Sequence, residues 1–182
     1  ALHPGHASLI QCARRENDRV VVSIFVNPLQ FNNPDDLEKH PRNQEADIEL
    51  LEKWQVDLLF TGTAEDFLGT ASQKNSSELA DPGVYAQGLE GLYRPGHFAG
   101  VREIVSRLFK FVGPCRAYFG EKDYQQLQII RQLANALSGV EVIGCPTSRE
   151  PGGLARSSRN QRLSPAGLQQ AGVIYQAMQA AN

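Results

Sequence analysis

The chain has 182 residues, of which 41% are hydrophobic and 21% charged, and its formal net charge at pH 7 is -2. This length allows one domain with a sizeable core, and the near-neutral charge argues against nucleic-acid and anionic-membrane partners. No apolar run has membrane-spanning length and no signal-peptide pattern is present, which predicts a cytoplasmic protein. Cys12, Cys115 and Cys145 lack the spacing of a disulfide or metal site and are predicted to be buried free thiols.

The apolar patterns predict helices that alternate with strands. In chain order, the predicted elements are a helix over 8–17, a strand over 20–26, a helix over 43–55, a strand over 56–60, a helix over 101–112, a strand over 117–120, a helix over 124–137, a strand over 140–144 and a helix from 165, for which Ser164 is the predicted N-cap. Residues 62–83 are predicted to be surface loop, with at most one short strand or hairpin. This alternation predicts a parallel sheet whose strands are buried under helices on both faces.

The polar segments of the sequence follow the predicted strands. Ligands bind beyond the carboxyl ends of the strands in folds of this kind. NPLQF (27–31) follows one strand, GEKD (120–123) another, and SREPGGLARSSRN (148–160) a third. If a strand precedes the first residue, HPGH (3–6) follows that strand as well. The sequence therefore predicts that these segments meet at one edge of the sheet.

HPGH, His3 to His6, brings two of the four histidines together just before a predicted helix. Backbone N–H groups and the dipole at a helix N-terminus favour an anion, and Gly5 would let the backbone approach such a ligand closely. Two imidazoles there could hydrogen-bond phosphate oxygens during phosphoryl or nucleotidyl transfer. A polar N-terminal tail with incidental histidines explains the motif alone equally well.

Three further segments each allow a functional and a structural interpretation. In GEKDYQQ, Lys122 offers a point charge to phosphate and Asp123 could hold Mg²⁺, but a solvated turn with Asp123 as N-cap explains the segment better by itself. The hydroxyls and Arg159 of SSRN suit a polyphosphate, although arginine-rich loops are commonly only solvated. In RPGHF, Arg94 and His97 either serve a ligand or simply begin a helix.

Taken in this order, the segments resemble the pantothenate synthetase (pantoate–β-alanine ligase) family. The resemblance rests on ALHPGH, VVVSIFVNPLQF, LEGLYRPGHFAGV, AYFGEKDYQQLQIIRQL and PTSREPGGLARSSRN with the RLSP that follows Gln161. NPLQF and FGEKDYQQ are specific to this family, whereas HPGH and SSRN are its versions of signatures found across the nucleotidyltransferase superfamily. The resemblance implies a Rossmann-like domain over 1–164 that binds ATP and pantoate, followed by a helix over 165–182.

The resemblance also implies a reaction with defined substrates. With ATP and Mg²⁺, members of the family activate the carboxylate of (R)-pantoate as an acyl-adenylate and release pyrophosphate. The amine of β-alanine then attacks the acyl carbon, which gives pantothenate and AMP. Neither nucleic acid nor a membrane takes part, and members are commonly homodimers through this domain.

Matched by position, the functional residues of the family fall on the motifs described above. His3, His6 and Lys122 are the implied catalytic residues, with His6 at the position usually assigned as proton donor. Gln30 and Gln126 would hold pantoate, and Gln30 would also lie near β-alanine. The residues implied at the ATP site are His3, His6, Gly120, Glu121, Lys122, Asp123, Ser148, Ser157, Ser158 and Arg159, with Asp123 near Mg²⁺.

The chain departs from the family pattern in four places. Arg156 stands where methionine usually precedes SSR, and Ser148 replaces a valine whose backbone contacts adenine. The first strand, helix and methionine-bearing loop that precede ALHPGH in the family are missing, as is the small C-terminal lid domain. We therefore expect a truncated record or polypeptide that catalyses poorly by itself.

Two other functions stay open from the sequence. Another nucleotidyltransferase or adenylate-forming ligase would share the HxGH core. A nucleotide-binding or interaction remnant without activity would carry the same motifs. Pyrophosphate exchange that depends on pantoate, and not on an amino acid or a phospho-alcohol, would separate the first alternative from the ligase, and binding without product formation would support the second.

Overall fold

A computed structural model describes residues 2–31, 34–38, 43–69 and 79–181 of the chain. Within these ranges helices and strands alternate, which confirms the predicted α/β fold. The helices are α1 Pro4–Glu16, α2 Pro34–Glu38, α3 Gln44–Lys53, α4 Ala64–Leu68, α5 Leu89–Tyr93, α6 His97–Val112, α7 Tyr124–Ala134, α8 Pro165–Gln170 and α9 Val173–Ala180. The strands are β1 Val21–Ile24, β2 Leu58–Thr61, β3 Cys115–Gly120 and β4 Val140–Cys145.

Several of these helices begin at polar capping residues. At the start of α3, Asn43 Oδ1 accepts a hydrogen bond from the Ala46 N–H at 3.2 Å. Ser164, the predicted N-cap of α8, accepts one from the Gly167 N–H at 3.1 Å. In the described ranges, no helix combines the length and the apolar composition needed to cross a membrane.

Several helices differ from the sequence prediction, among them α2 and α5, which the prediction does not contain. α1 begins at Pro4, so HPGH forms its first turn instead of preceding it. α6 begins at His97 because Gly96 adopts left-handed backbone angles (φ 78°, ψ -13°) that end the preceding turn. α4 lies in the predicted loop, where Thr63 and Asp66 exchange hydrogen bonds in a capping box. Residues 70–78 of that loop lie outside the described residues.

The strands pair in parallel, as predicted, but they form two separate pairs in the part of the chain that the structure describes. β1 pairs with β2, with Val21 opposite Leu58, and β3 pairs with β4, with Cys115 opposite Val140. The predicted parallel pairing is therefore confirmed, and hydrogen bonds do not join β1 to β3 among these residues.

Helices cover both faces of β3. On one face, Ile10 of α1 and Leu51 of α3 belong to a buried cluster against which Val22 and Tyr118 pack. On the other face, α4, α6 and α7 contribute a larger buried cluster, and Ala117 of β3 packs against it. Since Ala117 and Tyr118 are neighbours in β3, they point to opposite faces, and each face has its own helices.

The strands β1 and β2 are less buried than the sequence predicts. Val21 is 40% exposed and Leu58, which lies opposite it, is 50% exposed. Only the face that carries Val22 and Leu59 is packed in the core between α1 and α3. An unbroken apolar run therefore overstates burial here, because the run does not show which face a helix covers.

The cysteines are free thiols, as predicted, but they differ in burial. Cys145 is buried, whereas Cys12 and Cys115 are half-buried. Burial, followed by contact with Cys12, raises the pKa of the Cys145 thiol to about 12. The prediction that all three are buried is therefore correct for Cys145 alone.

Candidate active site

The HPGH motif forms a compact turn in which the two histidines bind each other's backbone. Nδ1 of His3, the N-cap of α1, accepts a hydrogen bond from the Gly5 N–H at 3.1 Å. Nδ1 of His6 accepts one from the His3 N–H at 3.2 Å. The two imidazole centroids are 4.0 Å apart. This reciprocal capping is local, because all its partners lie within three residues of one another.

This geometry corrects the expected roles of the helix N-terminus and of Gly5. The Gly5 N–H binds the His3 ring and the His6 N–H binds the His3 carbonyl at 2.8 Å, so both are already used within the turn. Pro4 has no N–H to offer. A Cβ on Gly5 would lie 2.7 Å from Cε1 of His3, so this glycine makes room for the imidazole. The donors available to a ligand are therefore the imidazoles.

The hydrogen bonds determine which ring nitrogen carries the proton. A backbone N–H can only donate, so Nδ1 of both His3 and His6 must be unprotonated. In the neutral ring, the proton is therefore on Nε2. Burial, followed by the nearby His3, lowers the pKa of His6 to about 4, and burial followed by Lys122 lowers the pKa of His3. At pH 7, His6 is thus a neutral hydrogen-bond donor through Nε2.

The low pKa of His6 predicts that the fold weakens in mild acid. The unfolded chain binds a proton at this ring near pH 6.5, and the folded chain binds it only near pH 4. The free energy of unfolding should therefore fall as the pH decreases from about 6.5 to about 4. A His6→Gln variant should lose less stability over this window in urea titrations. Equal pH dependence in the two proteins would contradict the shifted pKa.

The GEKD turn connects β3 to α7. The Lys122 charge contributes to the lowered pKa of His3 and of His6, after burial in each case. The pKa of His97 is lowered mainly by burial, and the Asp123 charge opposes that lowering. The Asp123 side chain does not cap α7 in the described structure, and its Oδ1 is 3.3 Å from the Lys122 Nζ. Asp123 therefore occupies the N-cap position of α7, as predicted, but its side chain makes no capping hydrogen bond.

The other two residues of this turn are placed differently from the lysine. Gly120 ends β3 with ordinary extended angles (φ -76°, ψ 135°), and a Cβ there would meet little. Glu121 points over β4, with Oε1 3.5 Å from the position of a Cβ on Gly144. Of the turn residues predicted at the ATP site, Lys122 is thus the one whose charge contributes to the lowered pKa of His3 and of His6.

The loop after β4 turns back and returns its SSRN segment to the HPGH turn. The Arg156 N–H donates to the Ser148 carbonyl at 2.9 Å, and Arg149 and Ala155 form an antiparallel bridge. Ser157 then caps the 3₁₀ turn Ser158–Arg162, which carries Ser158 and Arg159. The residues implied at the far side of the ATP site are therefore held in one short, self-bonded loop.

Arg156, one of the arginines near SSRN and a departure from the family pattern, lies beside the HPGH turn. Its Cβ is 3.5 Å from the position of a Cβ on Gly5, and its charge contributes to lowering the pKa of His3 after burial and Lys122. Its guanidinium also lies 3.5 Å from the Glu150 carboxylate. The arginine therefore adds positive charge beside the two imidazoles.

Asp47 was missed because α3 was interpreted only as a covering helix. It is 4% exposed, and its Oδ1 accepts a hydrogen bond from the Leu2 N–H at 2.6 Å, which anchors the residue before HPGH. Its charge also opposes the lowering of the pKa of His6. A signal was present, since Asp47 lies four residues before the buried Leu51 on the same helix face. Asp47 also lines a cavity of about 360 Å³ at the ends of β1 and β2.

The NPLQF turn packs tightly against the first turns of α6. Asn27 is 2% exposed, and its Nδ2 donates to the Gly100 carbonyl at 3.0 Å while its Oδ1 accepts from the Leu29 N–H at 3.1 Å. A Cβ on Gly100 would be 2.4 Å from the Leu29 carbonyl oxygen. Asn27, which the sequence reasoning did not single out, therefore locks the turn that carries Gln30.

Gln30 and Gln126 lie on different elements. Gln30 ends the 3₁₀ turn Pro28–Gln30, and its carbonyl oxygen is 3.0 Å from both Arg94 Nη2 and His97 Nδ1. Gln126 is in the first turn of α7, directly after GEKD. The start of α7 is connected to the Gln30 group through its Gln125 Oε1, which accepts a hydrogen bond at 3.1 Å from the N–H of Glu90, the partner of Arg94 in an ion pair.

The predicted metal ligand, Asp123, lies at the start of α7 with its carboxylate 3.3 Å from the Lys122 Nζ. Among the described residues, no group of three or more His, Cys, Asp or Glu side chains could hold a metal ion. Mg²⁺ is commonly held by one or two carboxylates together with substrate phosphates. Asp123, with its side chain 54% exposed beside Lys122, has the chemistry for such a single protein ligand.

Sequence comparisons find related proteins along the whole chain. A family model described as Pantoate-beta-alanine ligase matches residues 1–182. The pantothenate synthetases of Christiangramia forsetii and Cytophaga hutchinsonii are 50% and 49% identical to the chain, over 100% and 98% of its length. The chain spans 64% and 62% of the lengths of these two relatives.

Solved structures agree with the sequence comparisons. The pantothenate synthetase of Thermus thermophilus matches 97% of the chain, at 48% identity, with a TM-score of 0.87. A pantoate-beta-alanine ligase from Francisella tularensis, in complex with beta-gamma ATP and beta-alanine, matches 98% of the chain, at 41% identity, with a TM-score of 0.87. The chain covers 63% and 67% of these two proteins. Together with its motifs and fold, these matches show that the chain belongs to the pantoate-beta-alanine ligase family.

Proposed function

We propose that this chain carries the adenylation site of an enzyme that joins (R)-pantoate to β-alanine, with conversion of ATP to AMP and pyrophosphate. The observation that carries the proposal is the HPGH turn, in which both Nδ1 atoms are occupied by backbone N–H groups. Two Nε2–H donors are thereby directed away from the turn, beside the charges of Lys122 and Arg156. A triphosphate is the ligand that such a set of donors and cations suits.

In the first step, a carboxylate oxygen of pantoate attacks the α-phosphorus of ATP, and pyrophosphate leaves as its bond to that phosphorus breaks. His3 and His6 donate hydrogen bonds from Nε2 to phosphate oxygens, and Lys122 supplies a positive charge. Because His6 has a pKa of about 4, it donates this hydrogen bond as a neutral imidazole at pH 7. Ser157, Ser158 and Arg159 approach the phosphates from the returning loop, and Ser148 lies toward the adenine.

Gln30 and Gln126 hold pantoate through their side-chain amides. An amide can hydrogen-bond both the hydroxyls and the carboxylate of pantoate without a charge that would compete with the nucleophile. In the second step, the β-alanine amine, near Gln30, attacks the acyl carbon, loses a proton and displaces AMP. The Francisella tularensis structure with beta-alanine supports this substrate.

Further features of the whole protein belong to the same proposal. Asp123 would be the protein ligand of Mg²⁺, which would neutralise charge on the triphosphate when bound, with Gly120 and Glu121 beside the nucleotide. Residues 1–164 form the nucleotide- and pantoate-binding domain, and residues 165–182 lead toward a second unit. The enzyme works in the cytoplasm as a homodimer.

Exchange of labelled pyrophosphate into ATP tests the reaction on the full-length protein. We expect exchange that requires pantoate and that is not supported by an amino acid or a phospho-alcohol. Gln30→Ala and Gln126→Ala should each raise the pantoate concentration needed for half-maximal exchange by about tenfold, the effect of losing one or two hydrogen bonds. Gln169→Ala, an exposed glutamine on α8, is the matched control.

The outcomes of this assay distinguish the alternatives. Exchange driven by another carboxylic acid would indicate a different adenylate-forming ligase. Binding of ATP and pantoate without exchange or pantothenate formation would indicate a nucleotide-binding protein without this activity. Either result would contradict the proposed function.

A further inference from the structure

The RPGHF segment converges on a single backbone atom of the NPLQF turn. Arg94 Nη2 donates to the Gln30 carbonyl oxygen at 3.0 Å, and His97 Nδ1 lies 3.0 Å from the same oxygen. Because a carbonyl oxygen only accepts, His97 must carry its proton on Nδ1. His97 is 8% exposed, so this is a buried contact between residues 67 positions apart.

Further contacts with α6 hold the NPLQF turn that carries the Gln30 carbonyl. The side chain of Asn27 holds the other end of the turn to the Gly100 carbonyl, and Leu29 lies directly against Gly100. The turn is thus bound to α6 at both ends, by Asn27 at its start and by His97 at its finish. Release of the His97 contact would let the Gln30 end of the turn move, while Asn27 would still hold the other end in place.

Arg94 is itself held by neighbouring elements. It forms an ion pair with Glu90, four residues earlier. The Glu90 N–H donates to Gln125 Oε1 at 3.1 Å, and Gln125 Nε2 donates to the Tyr85 carbonyl at 2.8 Å. Since Gln125 precedes Gln126, a continuous set of contacts runs from the first turn of α7 through Arg94 to Gln30. These contacts therefore connect the segments that carry Gln30 and Gln126, the two glutamines of the proposed pantoate site.

We propose that Arg94 and His97 are positioning residues that orient the side chain of Gln30 by holding its backbone carbonyl. The inference rests on the proposed function, in which Gln30 binds pantoate. The Gln30 N–H donates to the Asn27 carbonyl at 3.2 Å, so the peptide groups on both sides of the Gln30 Cα are held once the Gln30 carbonyl is bound. Together they fix the direction of the Cα–Cβ bond and thus where the side-chain amide can reach. Neither Arg94 nor His97 needs to touch the substrate for this effect.

A pair of His97 variants tests the hydrogen bond itself. The Asn side chain places its amide N–H close to the position of the imidazole Nδ1, whereas Leu fills similar space without a donor. We expect His97→Leu to raise the pantoate concentration for half-maximal exchange by about tenfold, the effect of losing one buried hydrogen bond, with little change for ATP. With His97→Asn, the pantoate concentration for half-maximal exchange should return most of the way to that of the unchanged protein. Equal effects of Leu and Asn would overturn the proposal.

Arg94→Met provides a second variant that keeps the aliphatic stem and does not disturb the buried ring. We expect the pantoate concentration for half-maximal exchange to rise several-fold, again with little change in the ATP concentration required. Arg107→Met on α6 is the matched control, because Arg107 also pairs with a glutamate four residues earlier, at 2.7 Å from Glu103. If Arg94→Met and Arg107→Met raise the pantoate concentration for half-maximal exchange by similar factors, the positioning role of Arg94 is overturned.

A double-mutant cycle with Gln30→Ala separates positioning from direct binding. Gln30→Ala keeps the carbonyl but removes the amide, so His97→Leu should have almost no further effect on pantoate in that background. Additive effects would overturn the inference and would leave the proposed function intact. If Gln30→Ala alone leaves the pantoate dependence unchanged, the assignment of Gln30 fails, and the inference fails with it.

Discussion

His6→Ala is expected to lower the rate of pantoate-dependent adenylation by roughly 10²–10³-fold, the usual effect of removing one donor that stabilises transition-state charge. The backbone N–H of His3 occupies Nδ1 of this ring, so Nε2–H is its remaining donor. Release of pyrophosphate in a single turnover, measured on the full-length protein, reports the step directly. A rate within a few-fold of the unchanged protein would contradict this role of His6.

His6→Gln is the matched control for this experiment. The Gln amide N–H can reach a position near that of the imidazole Nε2–H, so this variant should keep more of the rate than the alanine variant. His6 is also part of the cap of α1, so urea unfolding should be measured for both variants. If both unfold alike but differ in rate, the difference comes from the donor and not from the helix.

Gly100→Ala is expected to lower the free energy of unfolding by about 1–3 kcal/mol, the usual cost of inserting a methyl group into a packed core. The added Cβ would lie 2.4 Å from the Leu29 carbonyl oxygen and 2.9 Å from the Leu29 Cβ, so the NPLQF turn must move away from α6. That movement would also displace Gln30. The pantoate concentration for half-maximal exchange should therefore rise, and the free energy of unfolding should fall, in the same variant.

Gly152→Ala supplies the control for this glycine. A Cβ at this position would have nothing within 4 Å, so its stability and its pantoate dependence should stay close to those of the unchanged protein. Urea unfolding at constant pH measures the stability of both variants. Equal stability of Gly100→Ala and the unchanged protein would show that the turn and α6 are not closely packed.

Much of the fold follows from short-range patterns. Apolar periodicity is a property of about 10 to 15 consecutive residues, and it placed α3, α7 and the four strands within a few residues of their observed bounds. Ser164 was recognisable as an N-cap because its partner is three residues away. The start of α1 was misplaced, since histidine is an unusual capping residue.

The sequence by itself determined the family and the order of the main helices and strands, and it named the segments in which the candidate site residues lie. Those features are encoded in residue types and spacing within single segments, such as HPGH and GEKD. The tertiary structure alone decided that Arg156 lies beside Gly5 and that Arg94 and His97 meet the Gln30 carbonyl. The physical reason is distance along the chain, because contacts between residues 64 or more positions apart depend on how whole helices and strands pack.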